Sequence, residues 1–157
     1  MKHILIVSAL YFGLAGTAMA HGDEDHKAKA GGHAAALGQP GKKSEVTRTI
    51  NVDMNDTMRF NPAKINVKKG ETIRFVVKNG GLVRHEMVFG SIPELKAHAE
   101  QMRKFPEMEH DDPNQVQVDP GKTGELIWKF SKAGTFDFAC LQPGHFEAGM
   151  AGKVSVK

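Results

Sequence analysis

The chain has 157 residues, of which 25% are charged and 40% hydrophobic, and its formal net charge is +3. This length suits one domain with a sizeable core and short extensions, and the scattered Lys and Arg residues predict no nucleic-acid partner. The single cysteine, Cys140, excludes an intrachain disulfide and the four-cysteine zinc and iron–sulfur sites.

The N-terminus has the form of a secretory signal peptide over residues 1–20. A basic start precedes an apolar run at residues 4–16, and Ala18-Met19-Ala20 matches an A-x-A cleavage site. The run is too short for a permanent transmembrane helix, so a buried N-terminal helix is the alternative. We expect a mature protein that begins at His21, lies in the periplasm and has no membrane anchor. An unpaired cysteine in that oxidising compartment predicts burial or a bound group.

Two regions follow the predicted signal peptide. Residues 21–44 are rich in Gly, Ala, Lys and His and contain no aromatic or β-branched residue, which predicts a flexible tail. Residues 45–157 form the predicted domain. There, short alternating hydrophobic segments between Gly and Pro turns predict strands at residues 46–53, 58–60, 64–67, 72–78, 83–89, 115–118, 124–130, 135–140 and 153–156. This pattern predicts an all-β fold, either a β-sandwich or a small barrel.

One segment, about residues 91–113, departs from the strand pattern. Ser91 is a candidate N-cap, Pro93 lies in the first turn, Glu94 stands three residues after the cap, and Pro106 ends the helical stretch. We therefore predict a helical insertion between two strands.

The segment with the clearest chemical signal contains Cys140, His145 and Met150 in the order C-x4-H-x4-M. Alternation places Cys140 on the core face of the incoming strand and Met150 on the core face of the outgoing strand. His85 lies on a core face of the predicted strand 83–89. Each of these residues alone is most simply a core side chain. Together, two imidazoles, one thiolate and one thioether match the ligand set of a type 1 copper site. Zinc is the rival metal, although Met is a poor zinc ligand.

Further His and Met residues suggest additional copper capacity. A second hypothesis assigns accessory copper to side chains of the tail and of the helical insertion: His21, His26, His33, His98, Met102, Met108 and His110. The alternatives are a solvated polar tail and a Met102 that packs the helix onto the sandwich.

Residues 60–157 resemble the cupredoxins, which include plastocyanin, azurin and auracyanin. The resemblance rests on three segments: FNPAKINVKKGETIRFVVKN, RHEMVFG and GTFDFACLQPGHFEAGMAGKVSV. The second segment places His85 on the first copper histidine of the family. The third places Cys140, His145 and Met150 on the other ligands. It implies a Greek-key β-sandwich. The loop spacing resembles that of auracyanin, and Glu86 stands where plastocyanin and azurin usually have Asn. Together with the tail, the sequence is similar to periplasmic copper-tolerance cupredoxins of the CopI type.

Two functions remain open at this point. In the first, the protein binds redox-active copper for tolerance or homeostasis, by sequestering, oxidising or transferring it. In the second, it is a mobile electron carrier between respiratory or photosynthetic partners. Four protein ligands leave no open position for a substrate, so we predict no enzymatic activity. We expect a monomer whose partners are copper ions and a redox or copper-transfer protein.

Overall fold

The computed structural model describes residues 38–106 and 112–157, which form ten strands, one α-helix and a short 3-10 helix. The helix α1 spans Ile92–Lys104, and the 3-10 helix spans Lys43–Glu45. The strands are β1 (Gln39–Pro40), β2 (Arg48–Asn55), β3 (Arg59–Asn61), β4 (Lys64–Val67), β5 (Thr72–Asn79), β6 (His85–Gly90), β7 (Gln115–Val118), β8 (Thr123–Lys129), β9 (Gly134–Ala139) and β10 (Ala151–Val156). No helix within these ranges is both long and apolar enough to cross a membrane.

The strands form two mixed sheets of five strands each. The first has the order β1-β8-β5-β2-β3 and the second the order β4-β10-β9-β6-β7. Each contains one parallel pair, β2 with β5 and β4 with β10, and the remaining pairs are antiparallel. The predicted all-β sandwich with a helical insertion is therefore confirmed.

Aromatic side chains fill the space between the two sheets. Phe89 on β6 lies 5.3 Å from Phe75 on β5 and 6.0 Å from Phe138 on β9, measured between ring centroids. These rings meet edge to face, which is a favoured arrangement for aromatic pairs. The core thus joins the strand that begins at His85 to both sheets.

Helix α1 covers the outer face of the second sheet. The Glu94 carboxylate accepts hydrogen bonds from the backbone N–H and the hydroxyl of Ser91, as the capping pattern predicted. The apolar face of the helix packs on the sheet and the loop after β9 in one buried cluster: Val88, Leu95, Ala99, Met102, Ala139 and Leu141. The helix covers Val88 and the loop after β9 contacts the Glu86 side chain, so every residue of β6 is buried and not only those on the predicted core face.

Several strand ends differ by one or two residues from the sequence-based expectations; β2, for example, spans Arg48–Asn55 where the pattern predicts residues 46–53. β1 lies within residues 21–44, and the 3-10 helix begins there and ends at Glu45; β1 pairs with Lys129 and Trp128 of β8. This pairing is a backbone interaction that composition does not reveal. β6 begins at His85 rather than at residue 83, and the backbone N–H groups of Leu82 and Val83 just before it donate to the Asp56 carboxylate. Residues 107–111 of the predicted insertion lie outside the described ranges.

Gly152 of β10 allows a close approach between neighbouring strands. A Cβ at this position would lie 2.6 Å from the carbonyl oxygen of Ala63 and would overlap the ring of Phe138. We expect Gly152→Ala to lower the free energy of unfolding by about 1–3 kcal/mol through overpacking. Urea denaturation measures the loss. Gly80→Ala is the matched control, because its nearest neighbour would be 3.7 Å away. Equal stability of the two variants would contradict the prediction.

Candidate metal centre

The four predicted ligands lie at one end of the second sheet. His85 is the first residue of β6, Cys140 directly follows β9, and Met150 directly precedes β10. β6 and β9 are neighbours that pair through Val88 and Ala139, which brings the first histidine beside the cysteine. The strand order therefore assembles residues that are 55 positions apart in the sequence.

The loop between Cys140 and Met150 is closed by its own backbone hydrogen bonds. The Cys140 N–H donates to the Met150 carbonyl at 3.0 Å, and the Met150 N–H donates to the His145 carbonyl at 3.0 Å. Arg59 donates to the carbonyl of Ala148 at 2.8 Å, and an ion pair joins Glu147 to Arg103 of α1. The insertion and the β3 strand thus hold the loop from two sides.

The donor atoms of His85, Cys140 and His145 converge within 4.8 Å of one another. Cys140 Sγ lies 3.2 Å from Nδ1 of His145 and 3.9 Å from Nδ1 of His85. His85, Cys140 and Met150 are fully buried, whereas His145 is half-buried at the protein surface. Met150 packs in the same core cluster as Cys140. Two imidazoles around one thiol in a dry pocket suit a copper ion, which favours nitrogen and sulfur donors.

Asp56 determines which nitrogen of His85 faces the cysteine. Its Oδ1 lies 3.1 Å from Nε2 of His85, and its Oδ2 accepts the backbone N–H of Leu82 at 2.7 Å. A carboxylate only accepts hydrogen bonds, so Nε2 carries a proton and Nδ1 is the nitrogen that faces Cys140. The hydrogen bond from Leu82, with that from His85, lowers the pKa of Asp56 below its ordinary value. Sequence reasoning missed Asp56 because no spacing links this turn residue to the other positions.

Glu86 links the first histidine to the ligand loop. Its carboxylate is fully buried and accepts the Leu141 backbone N–H at 3.0 Å and the side-chain amides of Gln117 and Gln142 at 3.2 and 3.3 Å. Its own backbone N–H points to Cys140 Sγ at 3.4 Å. Glu86 therefore makes a loop-holding hydrogen bond at the position where the sequence resemblance leads one to expect Asn.

Burial controls the protonation of both loop donors. Desolvation raises the pKa of Cys140 to about 12, so without metal the side chain is a neutral thiol at pH 7. Desolvation, with repulsion from His85, lowers the pKa of His145 and favours its neutral imidazole. Cys140 would have to release its thiol proton to hold a metal here, whereas the neutral imidazole of His145 could ligate directly.

The burial and the raised pKa of Cys140 predict that its thiol reacts slowly in the metal-free protein. We expect alkylation of Cys140 by iodoacetamide at pH 8 to be at least about tenfold slower than that of free cysteine, because the thiolate is the nucleophile and the sulfur is buried. Mass spectrometry of timed samples measures the rate. The same chain unfolded in urea is the control and should react at the free rate. A native rate equal to the unfolded rate would contradict the prediction.

The accessory copper candidates divide by location. Met102 lies in the buried cluster beneath α1, and His98 is partly buried on the same helix. This packing supports the structural alternative for Met102. The other five candidates, His21, His26, His33, Met108 and His110, lie outside the described residues.

Comparison with known proteins gives the family. Residues 46–157 match the family model of copper-binding proteins of the plastocyanin/azurin family. The chain is 52% identical over 159 aligned residues to the copper-resistant cuproprotein CopI of Rubrivivax gelatinosus, which covers 98% of this chain and 94% of the relative. It is 36% identical to the protein of the same name from Pseudomonas aeruginosa, over 80% of this chain and 84% of the relative.

Solved structures give the same fold. Auracyanin B matches with a TM-score of 0.64 at 20% identity, over 76% of this chain and 96% of its own. Auracyanin A from Chloroflexus aurantiacus matches with a TM-score of 0.59 at 24% identity, over 69% of this chain and 98% of its own. The chain belongs to the plastocyanin/azurin family of copper-binding proteins, the cupredoxins. Within that family it is of the CopI type, and copper is its metal.

Proposed function

We propose that this chain is a periplasmic protein that holds one copper ion in a type 1 site and serves copper tolerance. The observation that carries the proposal is the convergence of Nδ1 of His85 and Nδ1 of His145 on Cys140 Sγ in a buried pocket. Met150 completes the donor set from the end of the same loop. The relatives' name, copper-resistant cuproprotein, supports the tolerance role.

The protein's own residues prepare the site. Bound copper supplies a one-electron couple between Cu(II) and Cu(I). Cys140 gives up its proton to become a thiolate ligand, Asp56 holds His85 in the ligating tautomer, and the core excludes water from three of the four donors. A set of four protein donors leaves no position for a substrate, which supports a role without catalysis.

The optical spectrum after addition of Cu(II) tests the site. We expect an intense thiolate-to-copper band in the wild type and no such band in Cys140→Ser. The control variant Met102→Leu changes a buried sulfur outside the proposed donor set and should keep the band. Absence of the band in the wild type, or its survival in Cys140→Ser, would overturn the assignment.

N-terminal sequencing of the exported protein tests the location, with His21 as the expected first residue.

A mobile electron carrier is the second candidate function. The half-buried His145 directly follows the exposed residues Pro143 and Gly144, and Leu82, in the loop that Asp56 holds beside His85, is 87% exposed. Of the apolar residues that flank His145 in sequence, Leu141 is buried and Phe146 packs against the helix cluster. Pro143 and Leu82 are thus exposed apolar side chains next to the two histidines in sequence or in the Asp56 loop, and exposed apolar surface of this kind suits transient docking of a redox partner.

Growth of a deletion strain separates the two functions. The tolerance role predicts poor growth in excess copper, restored by the wild-type gene but not by Cys140→Ser, with normal respiration at ordinary copper. A respiratory defect alone would refute tolerance and support the carrier role.

Accessory copper stays a prediction with its own test. The Cys140→Ser substitution removes the proposed type 1 site and leaves the other His and Met residues intact. Copper titration of this variant therefore measures binding outside that site. Residual tight copper would support an additional site in the tail or the insertion, and none would refute it.

A further inference from the structure

Two carboxylates lie beside the donor set without belonging to it. Asp56 meets the outer nitrogen of His85, and Glu86 lies between His85 and the ligand loop. We propose that Asp56 and Glu86 are positioning residues that make this site favour Cu(II) over Cu(I). The proposal rests on the copper site described above and concerns how these two residues tune it.

Asp56 acts through the ring of His85. Its carboxylate accepts the Nε2 proton at 3.1 Å and is itself fixed by the Leu82 N–H at 2.7 Å. An imidazole whose outer N–H donates to a carboxylate is a stronger electron donor than one that faces water, and its orientation is fixed. Stronger donation stabilises the more highly charged metal ion. The effect on Cu(II) should therefore exceed the effect on Cu(I).

Glu86 acts through its charge and through the loop. The side chain is fully buried, and three N–H groups donate to its two oxygens. A negative charge in a weakly screened interior attracts Cu(II) more strongly than Cu(I), since the metal charge differs by one unit. The hydrogen bond to Leu141 also fixes the residue that directly follows Cys140.

Other features of the site act in the opposite direction. The Glu86 backbone N–H approaches Cys140 Sγ at 3.4 Å and withdraws charge from the sulfur, and burial disfavours the higher charge. Both features belong to the backbone and the core, so they persist when a carboxylate becomes an amide of the same shape. Asp56→Asn and Glu86→Gln therefore test the two carboxylates, since each removes one negative charge together with one acceptor oxygen.

The test is the reduction potential of the copper-loaded protein. Each variant, Asp56→Asn and Glu86→Gln, should raise the ratio of Cu(I) to Cu(II) affinity by at least about tenfold, and tenfold corresponds to about 59 mV for a one-electron couple. Asp53→Asn and Glu45→Gln are the controls, because they remove the same charge at exposed positions, whereas Asp56 meets His85 and Glu86 meets the ligand loop. In these controls the ratio of Cu(I) to Cu(II) affinity should change by less than about threefold, because solvent screens the removed charges.

A second measurement needs no copper. In the metal-free wild type, long-range proton–nitrogen NMR should show His85 with its proton on Nε2 only, and Asp56→Asn should show a mixture of tautomers. Thermal unfolding of each metal-free variant checks that it folds. Because the two substitutions lie on different elements, a folding failure of one leaves the other as the test.

The outcomes separate this proposal from the site assignment. If the wild type forms no thiolate-to-copper band, the site assignment is wrong. If the band forms and both folded carboxylate variants shift the potential no more than the controls, the tuning proposal is overturned. Higher potentials in the variants, with control values near that of the wild type, support it.

Discussion

Phe89→Ala should lower the free energy of unfolding by about 3–5 kcal/mol, the range for truncation of a buried Phe. Phe89 is 1% exposed and lies at the centre of the core. Its ring centroid is 5.3 Å from that of Phe75, 6.1 Å from that of Trp128, and 6.0 Å from those of Phe130 and Phe138. Truncation removes these contacts from both sheets at once, and the surrounding strands cannot collapse into the space because they are held by their ladders.

Urea denaturation of the metal-free protein measures this loss as a lower midpoint at unchanged slope. Phe105→Ala is the control, because Phe105 ends the helix with 57% of its surface exposed and should cost less than about 0.5 kcal/mol. A loss below about 1 kcal/mol at Phe89 would show that the core repacks, and it would contradict the central position assigned to this ring.

Local patterns predicted most of the fold. The alternation over residues 72–78 corresponds to β5 at Thr72–Asn79, and the capping residues at 91–94 correspond to α1 at Ile92–Lys104. The pattern begins β6 two residues early, at residue 83 rather than at His85. There the side chain of Asp56 holds the loop before His85 through the N–H of Leu82, and this contact is made by a residue 26 positions away. Alternation carries no information about such a contact.

The candidate site shows the same division between local and distant information. Cys140, His145 and Met150 could be predicted because one loop carries them at regular spacing. The added role of Asp56 could not, since it depends on the three-residue turn between β2 and β3 meeting the start of β6. Glu86 drew attention as a departure from the family pattern, but only the structure shows that its carboxylate reaches Leu141. Residues that hold ligands leave weaker sequence signals than the ligands themselves.

Copper should stabilise the folded chain by about 4 kcal/mol when free Cu(I) is buffered at a thousand times its dissociation constant. The proposed donors come from the start of β6, the end of β9 and the loop before β10, so only the folded protein brings them together. The measurement is denaturant unfolding under argon, with and without a chelator-buffered Cu(I) supply. Cys140→Ser should lose most of the increment, since it lacks the thiolate.

The size of this increment should rise with pH in the wild type. Because burial raises the pKa of Cys140 to about 12, the metal-free thiol stays protonated through the neutral range and each binding event releases its proton. At fixed free Cu(I), binding to the folded state therefore strengthens by up to about 1.4 kcal/mol for each pH unit below that pKa. The Cys140→Ser variant has no such proton to release, so its residual stabilisation by Cu(I) should not change between pH 7 and 8.5. In that range His145 is already neutral, because burial lowers its pKa. A flat wild-type profile would mean that copper binds without the thiolate, and the type 1 assignment would then have to be abandoned.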